Sequence, residues 1–235
     1  MDDGIHDLAA AVTAMRRRLE GRARLENHTT MLTHEMKSPL AAIRGAGEIL
    51  AEEVDDPALH RFTDNVIHES IRLSDLLDKL LAMARLEKLE SLPAHKSAVS
   101  ISALVQEWQH SRYALLAEKQ LDITVNEGAL QAEADTFRLA LFNLLDNALR
   151  FANENTTIMV HVDVACLTVT NTGPVIPDYA LGRITERFYS LPSPGQERSS
   201  GLGLAMVSEI ASLHGGSLKV ENTHQGVQAK LTLPE

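Results

Sequence analysis

The chain has 235 residues, of which 44% are hydrophobic and 23% charged, and its formal net charge is -10. That length gives room for two domains with real cores, and the surplus of acid argues against a nucleic-acid partner, whose phosphates are bound by excess Lys and Arg. A single cysteine, Cys166, excludes an internal disulfide framework; it falls in an alternating run and is expected in the core. No run of about 20 apolar residues and no cleavable signal is present, so no membrane-spanning helix is predicted, and the composition suits a soluble, intracellular protein of mixed α/β type.

Leu8, Val12, Met15 and Leu19 recur at heptad spacing, and the same register reaches Met36, Leu40, Ile43, Gly47, Leu50 and Val54. Between these halves the seam passes through Arg22, Glu26, Thr29 and Thr33, where weaker association is expected. His34 directly follows a seam position. One residue turns a helix by about 100°, which sets the imidazole beside the buried stripe and within reach of another molecule. The opening Asp2-Asp3-Gly4-Ile5 runs into the heptad without a cap, as the interior of a longer protein would.

Asp55-Asp56-Pro57 stops one helix and opens the next. Leu59, Phe62, Val66, Leu73, Leu76, Leu80 and Met83 then repeat the seam, and Leu77 and Leu81 widen it. Two antiparallel helices joined by so short a turn cannot cover their own apolar faces, so two chains are expected to pair into a homodimeric four-helix bundle.

Pro93 ends the helical pattern. After a linker over 93–97 the spacing predicts a helix over 102–119, β-rich runs at 121–125 and 130–134, a helix over 135–151, and strands at 157–163 and 166–170. A Gly/Pro/Ser-rich stretch follows from about 173 to 200, then a helix over 201–214 and strands at 217–220 and 228–233. Antiparallel strands with helices on one face make an α/β sandwich.

Chemistry in this second region concentrates in three places. On the helix, Asn143 and Asn147 stack one turn apart on one face, and two amide oxygens suit a Mg²⁺ ion that takes its other ligands from water and nucleotide phosphates. Arg150 and Phe151 lie just beyond, placed to meet a phosphate and a sugar or base. The second place is Asn171-Thr172-Gly173-Pro174-Val175-Ile176, where a strand gives way to a turn. In the third, Ser200-Gly201-Leu202-Gly203-Leu204-Ala205, a Gly-rich turn opens a helix and presents backbone N–H groups to an anion. Each is a weak signal alone, since paired asparagines often cap or face solvent and Gly-x-Gly often marks only a turn. Their order, all downstream of His34, is what gives them weight.

In that order the chain resembles the sensor histidine kinases of two-component systems. Leu32-Thr33-His34-Glu35-Met36-Lys37-Ser38-Pro39-Leu40 is similar to the family's phosphoacceptor box, residues 143–151 to its Asn box, Glu186-Arg187-Phe188-Tyr189 to its Phe box, and residues 201–204 to its second glycine box. Arg61-Phe62-Thr63-Asp64-Asn65, Pro177-Asp178-Tyr179-Ala180-Leu181 and residues 199–205 look like one subgroup, sensors responsive to the carbon source. The resemblance implies the end of a HAMP-like signalling helix at 1–24, a dimerisation and phosphotransfer hairpin at 25–92, and a Bergerat-type ATP-binding domain at 98–235.

The implied reaction has two stages. A ring nitrogen of His34 attacks the γ-phosphorus of Mg-ATP, and the phosphoryl group then passes to an aspartate of a response regulator, expected to be OmpR-like. Glu35 would hold the other ring nitrogen, and Ser38 stands where the family places a water for phosphatase action. Nucleotide contacts are implied for Asn143, Asn147, Arg150, Phe151, Asn171, Gly173, Ile176, Arg198, Gly201, Leu202, Gly203 and Leu204, with Mg²⁺ on Asn147 and Asn143. The full-length protein is implied to be a bacterial inner-membrane sensor with this portion in the cytoplasm.

Two positions depart from the family pattern. Asn171 replaces an aspartate that accepts a bond from the adenine amine; an amide still accepts, but losing the charge costs about 1 kcal/mol, or roughly five- to tenfold in affinity. Val175 replaces a glycine, and a β-branched residue is expected to keep an ordinary backbone there. The Pro- and Gly-rich segment between Tyr189 and Ser200 is expected to be mobile without nucleotide and to close over it. A scaffold that has lost ATP, and an Hsp90-like ATPase, stand as alternatives; the latter is disfavoured because a catalytic glutamate is replaced by Asn143.

Overall fold

The structure, a computed structural model, describes residues 36–37, 40–51, 56–89, 96–126, 128–191 and 199–234. His34, Glu35, Ser38, Arg198 and the heptad up to Thr33 lie outside the described residues. The chain divides between Arg85 and Leu86 into two units, each described by itself.

In the first unit, residues 40–51 form α1 and Pro57–Leu86 form α2. Leu40 and Gly47 of the expected seam are buried, and Gly47 lies close against Ile67. On α2 the buried positions are Thr63, Ser70, Leu77, Leu81, Met83 and Leu86. The Thr63 and Ser70 hydroxyls are satisfied by bonding back to carbonyls one turn earlier. Lys37, which precedes α1 in the chain, and Asp78 of α2 form an ion pair. Met36, Ile43, Leu50, Leu59, Leu73 and Phe62, the last 66% exposed, form an uncovered apolar face. Leu77 and Leu81, read as the margin of the stripe, are thus its buried part, while much of the expected seam is outside.

The second unit contains β1 (Ser97–Ser100), α3 (Ile101–Ser111), α4 (Tyr113–Lys119), β2 (Asp122–Val125), β3 (Ala129–Ala132), α5 (Ala134–Phe151), β4 (Thr157–Asp163), β5 (Cys166–Thr172), α6 (Asp178–Leu181), α7 (Gly203–Leu213), β6 (Ser217–Asn222) and β7 (Gly226–Thr232). Five strands form one sheet in the order β2-β4-β5-β7-β6, and β1 pairs with β3 apart from it. Ile158, Val160, Val162, Leu167, Val169, Ala229 and Leu231 alternate onto a single face, where α5 and α7 cover them. Met159, His161 and Lys230 point to the open face.

Four sequence expectations are corrected. The helix expected over 102–119 breaks at Arg112, whose backbone (φ -115°, ψ 12°) ends α3 and precedes α4. The sheet is not wholly antiparallel, because β2 runs parallel to β4. Ser97, placed in a linker, begins β1, held by its ladder to β3. Cys166 is only half-buried: the strand alternates so that Leu167 and Val169 face the helices and Cys166 lies opposite with Thr168.

Candidate functional site

Helix α5 positions the first group. Its N-terminus is capped by Glu133, whose carboxylate accepts from the Asp135 and Thr136 N–H groups. Leu141, Leu144, Leu145 and Ala148 are buried, leaving Asn143, Asn147, Arg150 and Phe151 half-buried along the margin of the helix. Asn143 Nδ2 donates to Leu139 O at 2.8 Å, so its Oδ1 is the atom left for a ligand. A methyl on Gly203 would sit 3.1 Å from that Oδ1, which shows how closely the start of α7 approaches the asparagine face.

Side chains that sequence reasoning passed over hold α5 in place. Asp146, one residue before Asn147, accepts from Trp108 Nε1 at 2.9 Å and from Arg112 Nε and Nη2 at 3.0 and 3.2 Å. Lys119 Nζ donates to the carbonyls of Leu149, Arg150 and Ala152 at 3.0, 3.1 and 3.4 Å, placing a cation at the negative end of the helix. Trp108 offered the best sequence signal, being the sole tryptophan on an apolar helix face. Its partner is 38 residues away, a separation that no local pattern reports.

At the end of β5, Asn171 is buried, 5% exposed, in line with Leu167 and Val169 on the helix-facing side. Its Nδ2 is shut off from solvent and has no hydrogen-bond partner. Gly173 follows where the backbone passes the end of α5: a side chain there would stand 2.1 Å from Phe151 O. Val175 takes no positive φ, as a β-branched residue should, and it is exposed. The next residue, half-buried Ile176, is clasped by Asn222, which accepts from its N–H and donates to its carbonyl, both at 2.8 Å.

Gly201 occupies the left-handed region at φ 67°, with the Phe188 and Tyr189 backbone so close that no side chain would fit. Phe188 N–H donates to Gly201 O at 3.0 Å, and Ser199 bonds Ser190 at 2.9 Å; residues 192–198, most of the segment expected to close over nucleotide, lie outside the described residues. Phe188 itself takes φ 62°, a costly conformation for an aromatic residue. Leu202 is buried at the N-cap of α7 and supplies no side-chain cap; half-buried Leu204 follows in the first turn. No side chain therefore caps the first N–H groups of α7, the groups an anion would bind. The site thus offers amide oxygens, uncapped helix amides and a buried unsatisfied donor, a set that fits a phosphorylated ligand with its cation.

At the far ends of the same two helices, His214 is buried. Its Nδ1–H donates to Ile210 O at 2.8 Å and its Nε2 accepts from Glu133 N–H at 3.2 Å. Burial pushes the ring below its ordinary value, partly opposed by the Ile210 bond and the Glu133 charge, with Lys96 adding to the depression. Burial would raise the Glu133 carboxyl, but bonds from Thr136 and Asp135 and the nearness of His214 hold it below the usual range.

Comparison with known proteins agrees with this geometry. Residues 24–89 match the His Kinase A (phospho-acceptor) domain, and residues 132–235 match the histidine kinase-, DNA gyrase B-, and HSP90-like ATPase family. A phosphoacceptor hairpin followed by such an ATPase fold defines a protein histidine kinase, and the chain belongs to the sensor histidine kinases. It is 44% identical to Sensor protein CreC of Escherichia coli (strain K12) over 97% of this chain and 49% of that protein. To Sensor protein QseC of the same organism it is 32% identical, over 84% of this chain and 45% of that one. The chain spans about half the length of these curated relatives. In fold it is similar to full-length ShkA in complex with AMPPNP, with TM-score 0.69 and 23% identity over 88% of this chain and 45% of that chain.

Proposed function

We propose that the protein autophosphorylates on His34 from Mg-ATP and passes the phosphoryl group to an aspartate of an OmpR-like response regulator. The observation that carries this reading is the approach of Gly203 to Asn143 Oδ1, which brings the asparagine helix and the Gly-x-Gly helix start together. The amides of Gly201 and Gly203 and the Arg150 side chain bind phosphate oxygens, and Phe151, Gly173, Ile176, Leu202 and Leu204 line the nucleotide. Asn147 and Asn143 are the residues that would hold Mg²⁺, which neutralises charge on the phosphates when bound.

A neutral ring nitrogen of His34 forms the bond to phosphorus as the bond to ADP breaks, and Glu35 accepts the proton-bearing edge of the ring. Ser38 orients a water for removal of phosphate from the regulator. Residues 25–92 serve as the phosphotransfer hairpin and 98–235 as the ATP-binding domain, after a HAMP-like helix at 1–24 in a membrane-anchored sensor. The exposed apolar face carrying Phe62, Leu59 and Leu73 supports a homodimer. The test is incubation with labelled ATP and Mg²⁺. An acid-labile, base-stable label is expected, absent from His34→Gln; label surviving in that variant refutes the assignment.

A further inference from the structure

Helix α7 is held to α5 at both of its ends. At its start, a methyl on Gly203 would stand 3.1 Å from Asn143 Oδ1, in the middle of α5. At its close, His214 Nε2 accepts from the N–H of Glu133, the α5 N-cap, at 3.2 Å. The 11 residues of α7, about 17 Å of helix, therefore lie antiparallel along the first half of α5. One continuous helix spans the two contacts, so release at one end alters its seating at the other.

The contact at His214 depends on the ring being neutral. Its Nδ1–H is already given to Ile210 O at 2.8 Å, so only an unprotonated Nε2 can accept from Glu133. Burial favours that neutral form, the Glu133 carboxylate opposes it, and Lys96, which bonds Pro234 O, adds to it. Asp135 follows Glu133 in the first turn of α5, and Arg138 of that helix is taken by Glu107. Lys219 and Glu221 of β6, which also packs on α7, pair with each other. Glu209 of α7 is turned about 140° from the ring.

We propose that His214 is a proton-operated latch on the nucleotide site: a second proton on the ring frees it from the α5 N-cap, and the start of α7 loses its seat against Asn143. This rests on the nucleotide reading above. By linkage, proton and nucleotide then oppose each other's binding.

The test is displacement of a fluorescent ATP analogue by ATP from the whole chain, in Mg²⁺, between about pH 8 and pH 5. The unaltered chain is compared with His214→Gln, whose amide oxygen can still accept from Glu133 but takes no proton; titration of the ligand itself is common to both. The two affinities are expected to match above about pH 7. Below about pH 6.5 the unaltered chain should lose a further three- to tenfold, roughly. Parallel profiles, or a greater loss in the variant, overturn the proposal. If His214→Gln does not fold, hydrogen exchange of the unaltered chain decides. While Trp108 emission remains that of the folded unit, protection of the Glu133 and Met206 N–H groups, corrected for the intrinsic effect of pH, should fall together on acidification. Protection lost at Glu133 alone, or at neither, overturns the latch. Displacement with parallel profiles sinks this inference alone; no displacement at any pH sinks the nucleotide reading with it.

Discussion

Acidification is expected to weaken the α/β unit through His214. The fold holds the ring neutral, with Nδ1–H given to Ile210 O and Nε2 accepting from Glu133 N–H. A second proton would go on Nε2 and set one buried donor against another. Losing that bond and orphaning the Glu133 N–H costs about 1–3 kcal/mol, offset in part by the Glu133 carboxylate beside the new charge. Because the folded-state pKa lies below the ordinary value of 6.5, the unfolded chain takes the proton more readily. Stability is therefore full above about pH 6.5, falls as pH drops from there toward the folded pKa, and levels off beneath it, with a slope of at most about 1.4 kcal/mol per pH unit.

Trp108, the single tryptophan and fully buried in this unit, makes the measurement specific. Urea unfolding followed by its emission between about pH 8 and pH 5 should show the slope, and His214→Gln should remove most of it. The Glu133 carboxyl, lowered in the fold from 4.5, contributes stability that is lost only as pH falls from there through its folded pKa, below this window. A slope identical in chain and variant, or stability that rises on acidification, would refute the argument.

Asp146→Ala is expected to destabilise the same unit by about 2 kcal/mol, chiefly by stranding the buried Trp108 N–H, because the Arg112 partner is partly exposed and contributes less; urea titration and a shift in Trp108 emission would check it. Gly203→Ala should leave the melting temperature nearly unchanged, since alanine suits a helix, yet weaken Mg-nucleotide binding about tenfold by displacing Asn143 Oδ1; calorimetric titration of both forms would show it.

Helix α5 was legible almost to the residue, because its apolar repeat spans the whole element. The β4 strand was equally clear from its alternation. The structure also agrees with the ordinary backbone expected at Val175. What escaped was decided by distant partners. The Arg112 side chain reaches Asp146, 34 residues on, from the break between α3 and α4, and β1 exists only through β3. Parallel pairing of β2 with β4 depends on where the chain returns after α5, which no repeat in either strand encodes. Asn222, Lys119 and His214 were missed for the same reason: each is an ordinary polar residue until its long-range acceptor or donor is known.

These missed residues share one arrangement. His214 ties the C-terminal end of α7 to the N-cap of α5, Asp146 ties the middle of α5 to α3, and Lys119 ties its C-terminal end to the close of α4. The helix carrying Asn143 and Asn147 is thus fixed along its length by bonds to side chains that are not the proposed ligands. On the side of the proposed ligands two polar features lack such bonds: Asn171 Nδ2 is unmet, and α7 begins without a side-chain cap. If Asp146, Lys119 and His214 act together in this way, removing any one should shift the asparagine face relative to Gly203, so nucleotide affinity should fall in step with α5 stability. Loss of stability without loss of affinity would show these bonds to be structural only.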